Sequence, residues 1–131
     1  MIPFYKHNLV NKNYLKKTLQ SYYLTSGPKC EEVENILKKR FSKNFAYLTN
    51  SWTNSVISIL LALKIKKGDE IIIPACTFVA CANVIEMVGG KVVFADIDKK
   101  TKLMDIDDCI KKINKKTKVI MPVHLYGNLF P

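Results

Sequence analysis

The 131-residue chain is long enough for one domain, and its 48% apolar and 24% charged residues are ordinary for a globular protein. Its longest apolar stretches, Val56–Leu63 and Ile71–Val79, are shorter than the ~18 residues that a membrane span needs. Lys6 and His7 are not followed by the apolar region of a signal peptide. These features predict a cytoplasmic protein with no membrane partner.

The net charge of +10 suggests a nucleic-acid ligand, because clustered lysines and arginines neutralise phosphates. However, the lysines are spread over predicted helices and turns without interleaved aromatic residues, and Arg40 is the only arginine. A solvated, lysine-rich surface explains the charge better. No nucleic-acid partner is therefore expected.

The four cysteines could form two disulfides, but their spacings match no zinc or thioredoxin motif and no secretory signal accompanies them. We therefore expect free and mostly buried thiols. The residues concerned are Cys30, Cys76, Cys81 and Cys109.

Residues 1–44 are predicted to form an N-terminal arm with two helices. The first helix is predicted at Asn13–Tyr23, and the second at Cys30–Phe41, where apolar residues recur at helical spacing. The intervening Thr25-Ser26-Gly27-Pro28 is predicted as a turn, with Pro28 near the start of the second helix.

Residues 45–131 alternate between short apolar segments and helical segments. The predicted elements are strand Phe45–Thr49, helix Thr53–Leu63, strand Glu70–Pro74, helix Phe78–Val88, strand Val92–Ala95, helix Ile106–Ile113 and strand Lys118–Pro122. This alternation predicts an α/β fold with a parallel sheet, and the continuous apolar run of Glu70–Pro74 indicates a strand covered on both faces. The last strand has no covering helix before Pro131, so we expect the first part of a larger, truncated α/β domain.

The segment Asn50-Ser51-Trp52-Thr53-Asn54-Ser55 lies between a predicted strand and a predicted helix. Hydroxyls and free backbone amides at a helix N-terminus form an anion site, which the helix dipole strengthens. Ser51 or Thr53 could instead simply cap the helix. The spacing alone slightly favours capping and leaves the anion site open.

Three further positions follow predicted strands. Phe78 could cover a flat ring, because open α/β sheets bind ligands outside the carboxyl ends of their strands, although a core position is commoner. His124 is either a substrate-side acid or base or a hydrogen-bonded structural histidine, and the structural role is favoured. Asp96-Ile97-Asp98 has a metal-ligand spacing without a third ligand nearby, so turn and helix-start capping is favoured and no metal is predicted.

Six segments, in order, resemble the DegT/DnrJ/EryC1/StrS family of sugar aminotransferases. They are Ile2-Pro3-Phe4; Leu24-Thr25-Ser26-Gly27-Pro28; Asn50-Ser51-Trp52-Thr53; Gly68-Asp69-Glu70 with Pro74 and Thr77-Phe78-Val79-Ala80; Val93-Phe94-Ala95-Asp96-Ile97-Asp98; and Pro122-Val123-His124-Leu125-Tyr126-Gly127. Each segment alone is a weak signal, but six in the right order are specific. Trp52 departs from the pattern, because the family often has glycine there.

The resemblance implies a fold type I enzyme dependent on pyridoxal 5'-phosphate (PLP). Such an enzyme moves an amino group from an amino acid, usually glutamate, to a nucleotide-linked keto-sugar, and it is a homodimer with active sites at the subunit interface. The implied contacts are Ser51, Trp52, Thr53 and the amide of Asn54 with the cofactor phosphate, Phe78 with the pyridine ring, and Thr25, Gly27 and His124 with the substrate.

No catalytic residue is predicted within the chain. In the family's pattern, the Asp that pairs with the pyridine nitrogen and the Schiff-base lysine both lie beyond Pro131, so the chain alone is expected to be inactive. Two other functions stay open. One is a PLP-dependent sugar dehydratase on the same fold, in which histidine replaces the lysine, and the other is a non-catalytic α/β module that binds phosphate ligands.

Overall fold

The computed structural model describes residues 12–23 and 25–130. The chain forms two compact units, Met1–Leu48 and Thr49–Pro131. The family-like segment Ile2-Pro3-Phe4 and residue Leu24 lie outside the described residues. Within the described ranges, no helix is both long enough and apolar enough to cross a membrane.

The first unit contains helices α1 (Lys12–Leu19) and α2 (Pro28–Arg40). Helix α1 ends earlier than predicted, because the hydroxyl and amide of Ser21 both donate to the carbonyl of Thr18 and close the last turn. Helix α2 begins at Pro28, whose fixed φ and missing amide proton suit the first turn of a helix. The predicted turn and the prediction that Pro28 lies near the start of α2 are confirmed.

The predicted strand Phe45–Thr49 is wrong, since these residues form neither helix nor strand. Phe45 is 74% exposed and Tyr47 is 80% exposed, so their side chains do not pack in a sheet. The amide of Leu48 donates to the carboxylate of Glu34 at 2.9 Å instead of to a neighbouring strand. Aromatic and β-branched residues favour a strand only where a neighbouring strand is available to pack against.

The second unit is an α/β layer built on a three-stranded parallel sheet of order β2-β1-β3. Its elements are α3 (Trp52–Ala62), β1 (Glu70–Pro74), α4 (Ala80–Met87), β2 (Lys91–Ala95), α5 (Ile106–Lys112), β3 (Thr117–Ile120) and a 3-10 turn (Leu125–Gly127). The central strand β1 is buried along its whole length, as its continuous apolar sequence predicts. The predicted parallel α/β sheet is confirmed.

The core lies on both faces of β1, because successive side chains of a strand point to opposite faces. Ile71 and Ile73 pack with buried residues of the α3–α4 side, and Ile72 packs in a second cluster with Met104 and Cys109. The four cysteines are free thiols, as predicted, but only Cys81 and Cys109 are buried. Burial, assisted by the nearby Asp108 carboxylate, raises the pKa of the Cys109 thiol.

Helix α4 begins at Ala80 rather than at the predicted Phe78. Val79 precedes the first helical residue, so Phe78 lies in the connection from β1 to α4 and not on the helix. Gly89 ends the helix as predicted, with a φ of +82° that favours glycine and an amide that donates to Glu86. The residues that connect β1 to α4 form part of the candidate site described below.

Candidate active site

A cleft of about 680 Å³ opens where β1 and β3 end. This edge of a parallel sheet is where α/β folds bind ligands. The wall is mainly apolar, with a few polar side chains from three separate segments. The lining residues are Trp52, Thr53, Val56, Ile59, Leu60, Thr77, Phe78, Ala80, Cys81 and residues 119–125.

The N-terminus of α3 supplies hydrogen-bond donors at the cleft. Ser51 is the N-cap, and its hydroxyl accepts from the amide of Asn54 at 3.2 Å. The amides of Trp52 and Thr53 and the hydroxyl of Thr53 have no protein partner in the part of the chain that the structure describes. The two interpretations of this segment therefore apply to different residues, since Ser51 caps the helix and Thr53 keeps a free hydroxyl at the cleft.

The loop before α3 is held by its own polar side chains. The side-chain amide of Asn54 donates to Asn50 at 2.7 Å, and the hydroxyl of Thr49 donates to the carbonyl of Ser51 at 2.8 Å. Thr49 also pairs with the hydroxyl of Ser55. These bonds order the loop before a ligand binds, so little conformational entropy remains to be lost on binding.

Two residues of this loop differ from their implied roles in detail. The amide of Asn54, which the resemblance assigns to the phosphate, is already donated to Ser51. Trp52 has no positive φ and is the first residue of α3, so the backbone accepts a bulky residue where the family often has glycine. Its side chain is 48% exposed and lines the cleft.

Phe78 lines the same cleft. Its side chain is 74% exposed, so a plain core position, which the pattern alone favoured, is wrong for this chain. The neighbouring Thr77 is half-buried, and its hydroxyl lies 3.4 Å from the thiol of Cys81. An exposed aromatic ring beside a cleft is available to cover a flat ligand.

His124 also lines the cleft and lies four residues after Ile120, the last residue of β3. Its Nδ1 accepts a hydrogen bond from the amide of Phe130 at 2.8 Å. The structural hydrogen bond that the sequence favoured is therefore present. The Nε2 atom has no protein partner among residues 12–23 and 25–130.

Thr25 and Gly27, the other two implied substrate residues, lie in the first unit. Gly27 precedes α2 in an extended conformation, and a Cβ added there would lie 2.7 Å from the Cβ of Tyr23. This close approach is sufficient reason for glycine at this position. The carbonyl of Thr25 accepts from the thiol of Cys30 at 3.8 Å. The substrate contacts of both residues stay predictions.

Asp98 caps a turn, as favoured, but the turn itself follows at residues 99–101, and Ile97 forms an isolated antiparallel bridge with Met104. One oxygen of Asp98 accepts from the amides of Lys100 and Thr101 and from the hydroxyl of Thr101, and these bonds, those from Thr101 above all, hold the pKa of Asp98 below its ordinary value. The cap of α5 is Asp105 instead, which accepts from the amide of Asp108 at 2.8 Å. Over the described residues, no cluster of ligands could hold a metal ion.

Sequence reasoning did not find the apolar wall between Thr53 and His124. Val56, Leu60 and Met121 line it, and their spacing is that of ordinary core residues. No lysine is among the residues that line the cleft in the described part of the chain.

Comparison with known proteins identifies related enzymes. The sequence profile of the DegT/DnrJ/EryC1/StrS aminotransferase family matches residues 8–131. The chain is 36% identical to GDP-perosamine synthase of Escherichia coli O157:H7, over 97% of this chain and 36% of that protein. It is 38% identical to 3-oxo-glucose-6-phosphate:glutamate aminotransferase of Bacillus subtilis, over 88% of this chain and 26% of that protein.

Solved structures agree with these sequence matches. One match is a Streptococcus pneumoniae protein described as a sugar aminotransferase, which was solved in its PMP and PLP forms. Its TM-score is 0.84, and it is 38% identical over 90% of this chain and 30% of that chain. A GDP-4-keto-6-deoxymannose-3-dehydratase with a trapped PLP-glutamate geminal diamine matches with a TM-score of 0.81 and 29% identity, over 90% and 32%.

The chain thus spans about a third of the length of the proteins it matches, and its fold is that of the PLP-dependent sugar aminotransferases. Over nearly all of its length, it belongs to the DegT/DnrJ/EryC1/StrS aminotransferase family, whose aminotransferases use PLP.

Proposed function

We propose that this chain forms the phosphate-binding and ring-covering wall of a PLP-dependent aminotransferase. The enzyme moves an amino group from glutamate to a nucleotide-linked keto-sugar. The observation that supports this proposal best is the cleft lined by both Thr53, which has a free hydroxyl, and Phe78, whose ring is exposed. Because the chain covers only 36% of its perosamine-synthase relative, the activity of the whole enzyme is part of the proposal.

The donors at α3 fit the phosphate of PLP. A phosphate dianion accepts hydrogen bonds from the Thr53 hydroxyl and from the free amides of Trp52 and Thr53, and the positive end of the helix dipole adds to the attraction. The amide of Asn54 joins this set only if Ser51 releases it. The residues present therefore provide at least three donors without breaking any bond of the loop.

The remaining wall fits the ring. When bound, PLP supplies the electron sink through which an amino group passes from one substrate to the other. Phe78 would cover one face of the bound ring, and Val56, Leu60 and Met121 would exclude water from the cleft. Exclusion of water strengthens the phosphate contacts, because hydrogen bonds to a charged group are stronger at low dielectric.

The two substrates exchange one amino group. Glutamate gives up its amino group and leaves as 2-oxoglutarate, and the keto-sugar leaves as an amino sugar. The names of the two relatives support this pair, since one is a GDP-linked sugar synthase and the other uses glutamate as its partner substrate. We choose the nucleotide-linked acceptor over a sugar phosphate because the GDP-perosamine synthase matches 97% of this chain.

A homodimer in the cytoplasm completes the proposal. Within the second unit, large apolar side chains stay exposed on two helices, among them Ile59 and Leu61 on α3 and Ile110 on α5, each more than half exposed. Large apolar side chains that stay exposed are a common feature of surfaces covered by a further subunit or segment. A second subunit or a further segment of the enzyme is the proposed source of the Schiff-base lysine.

A PLP-dependent sugar dehydratase is the second candidate. It is favoured by the similarity to the GDP-4-keto-6-deoxymannose-3-dehydratase, which shares this part of the fold. The wall described above would serve both enzymes, since both hold the same cofactor. A non-catalytic phosphate-binding module would need no Schiff-base residue at all.

Product analysis of the intact enzyme distinguishes these functions. The enzyme is incubated with PLP, 15N-glutamate and either a nucleotide-linked keto-sugar or a keto-sugar phosphate, and the sugars are weighed by mass spectrometry. We expect 15N in the nucleotide-linked sugar and one 2-oxoglutarate for each amino sugar. A deoxygenated sugar without 15N would establish the dehydratase, and unchanged sugars with every acceptor would leave only the binding module.

A further inference from the structure

The imidazole of His124 is held in one tautomer by the chain that follows it. The Phe130 amide donates to Nδ1 at 2.8 Å, so Nδ1 must present a lone pair. In the neutral ring the proton then sits on Nε2. This nitrogen is a hydrogen-bond donor without a protein partner in the described residues, on a side chain that lines the cleft.

The segment from His124 to Phe130 is anchored at its far end. Phe130 packs against the buried cluster that contains Ile72 and Met104, and the side-chain amide of Asn128 donates to the carbonyl of Thr101 at 3.0 Å. These contacts fix the position of the Phe130 amide relative to β3, the strand that precedes His124. The ring is therefore oriented before any ligand binds.

The turn between the two residues has an unusual backbone. Tyr126 and Gly127 both have positive φ angles, of 55° and 81°, which reverse the chain direction over few residues. A positive φ is costly for tyrosine, and its side chain is 88% exposed and so gains little from packing. The anchoring of Phe130 and Asn128 offsets this cost.

We propose that His124 donates a hydrogen bond from Nε2 to an acceptor oxygen of the ligand in the cleft, and that Phe130 is its positioning residue. The inference rests on the proposed function only for the identity of that ligand, whose oxygen belongs either to PLP or to the keto-sugar. In this tautomer Nε2 has no lone pair, so His124 recognises an acceptor and does not act as a base from that atom.

The tautomer is tested without any ligand or activity. The 15N-histidine spectra of the apo wild-type enzyme and of apo His124→Asn are compared, and the signals that the substitution removes are those of His124. We expect a protonated Nε2 and an unprotonated Nδ1. A protonated Nδ1 would overturn the proposal, whatever reaction the enzyme catalyses.

Two substitutions separate the two nitrogens. His124→Asn keeps an acceptor near the position of Nδ1 and removes the donor from the cleft, whereas His124→Gln keeps a donor near Nε2 and loses the acceptor. We expect His124→Asn to keep the melting temperature and to weaken ligand binding about two- to tenfold, the usual effect of one lost neutral hydrogen bond. His124→Gln should bind the ligand nearly as the wild type does.

The readout identifies the source of the oxygen. A weaker PLP affinity in titrations of the apo enzyme assigns it to the cofactor, and a higher KM for the keto-sugar at saturating PLP assigns it to the sugar. Wild-type values of both constants in His124→Asn, with a lower melting temperature in His124→Gln, would show a purely structural histidine and refute the proposal. PLP titration and spectra remain informative even if no sugar is converted, so failure of the proposed function is recognised separately.

Discussion

Phe78→Ala in the intact enzyme separates a ligand contact from a structural role. Phe78 is 74% exposed, and a flat ring that stacks on one face would cover about half of this area. Because full burial of such a side chain contributes roughly 1.5–3 kcal/mol, this partial burial contributes about 0.6–1.1 kcal/mol. Aromatic stacking adds about 0.5–1.5 kcal/mol. We therefore expect PLP affinity to fall about five- to seventyfold.

The stability of the apo enzyme should not change, since exposed substitutions usually alter the free energy of unfolding by less than about 0.5 kcal/mol. Ile72→Ala is the matched control, because Ile72 is 0% exposed and its truncation should cost about 2–5 kcal/mol. PLP titration and thermal melting of the apo form are measured side by side, and Phe78→Trp should bind PLP like the wild type. A melting loss comparable to that of Ile72→Ala, with unchanged PLP affinity, would refute the stacking role.

Thr53→Val should weaken PLP binding about ten- to a hundredfold, because a hydrogen bond to a charged phosphate contributes roughly 1.5–3 kcal/mol, and Thr53→Ser should restore it. Ser58→Ala is the control on the same helix, since the Ser58 hydroxyl donates to the carbonyl of Asn54 and lies outside the cleft. An equal loss of PLP affinity in both variants would contradict the assignment of Thr53 to the phosphate. Hydrogen bonds from Asn114, and then from Lys91, lower the pKa of Glu70 below its ordinary value of 4.5. The ionised Glu70 carboxylate therefore stabilises the fold above pH 4.5, and this stabilisation is lost as the pH falls through the pKa of Glu70 in the folded protein. Melting temperatures should therefore fall more steeply below about pH 4.5 in the wild type than in Glu70→Gln, and parallel curves would count against this account.

The pH prediction involves the end of the sheet opposite the cleft. Glu70 begins β1, and its two oxygens accept from Lys91, which begins β2, and from Asn114, shortly before β3. One carboxylate thus connects the amino ends of all three strands. We expect acidification to loosen this edge of the sheet without a direct effect on the cofactor donors at α3.

Much of the fold was predictable because its signals are local. The apolar run of β1 specifies a strand buried on both faces, Pro28 specifies a helix start, and Gly89 specifies a helix end, each through the conformational limits of the residues themselves. The six ordered segments also determined the family, which the match over residues 8–131 confirms. The alternation of helices and strands was sufficient to predict the parallel sheet.

The tertiary structure decided what depends on distant partners. Residues 45–49 have strand-like composition, but only a neighbouring strand could make them one, and the amide of Leu48 bonds Glu34 instead. Phe78 is of a residue type that usually lies in the core, and it is exposed here because it precedes α4, which starts at Ala80. The Nε2 donor of His124 depends on an amide six residues away that is anchored by the core. Local sequence limits the backbone of each residue, whereas exposure and hydrogen-bond partners follow from which segments the fold brings together.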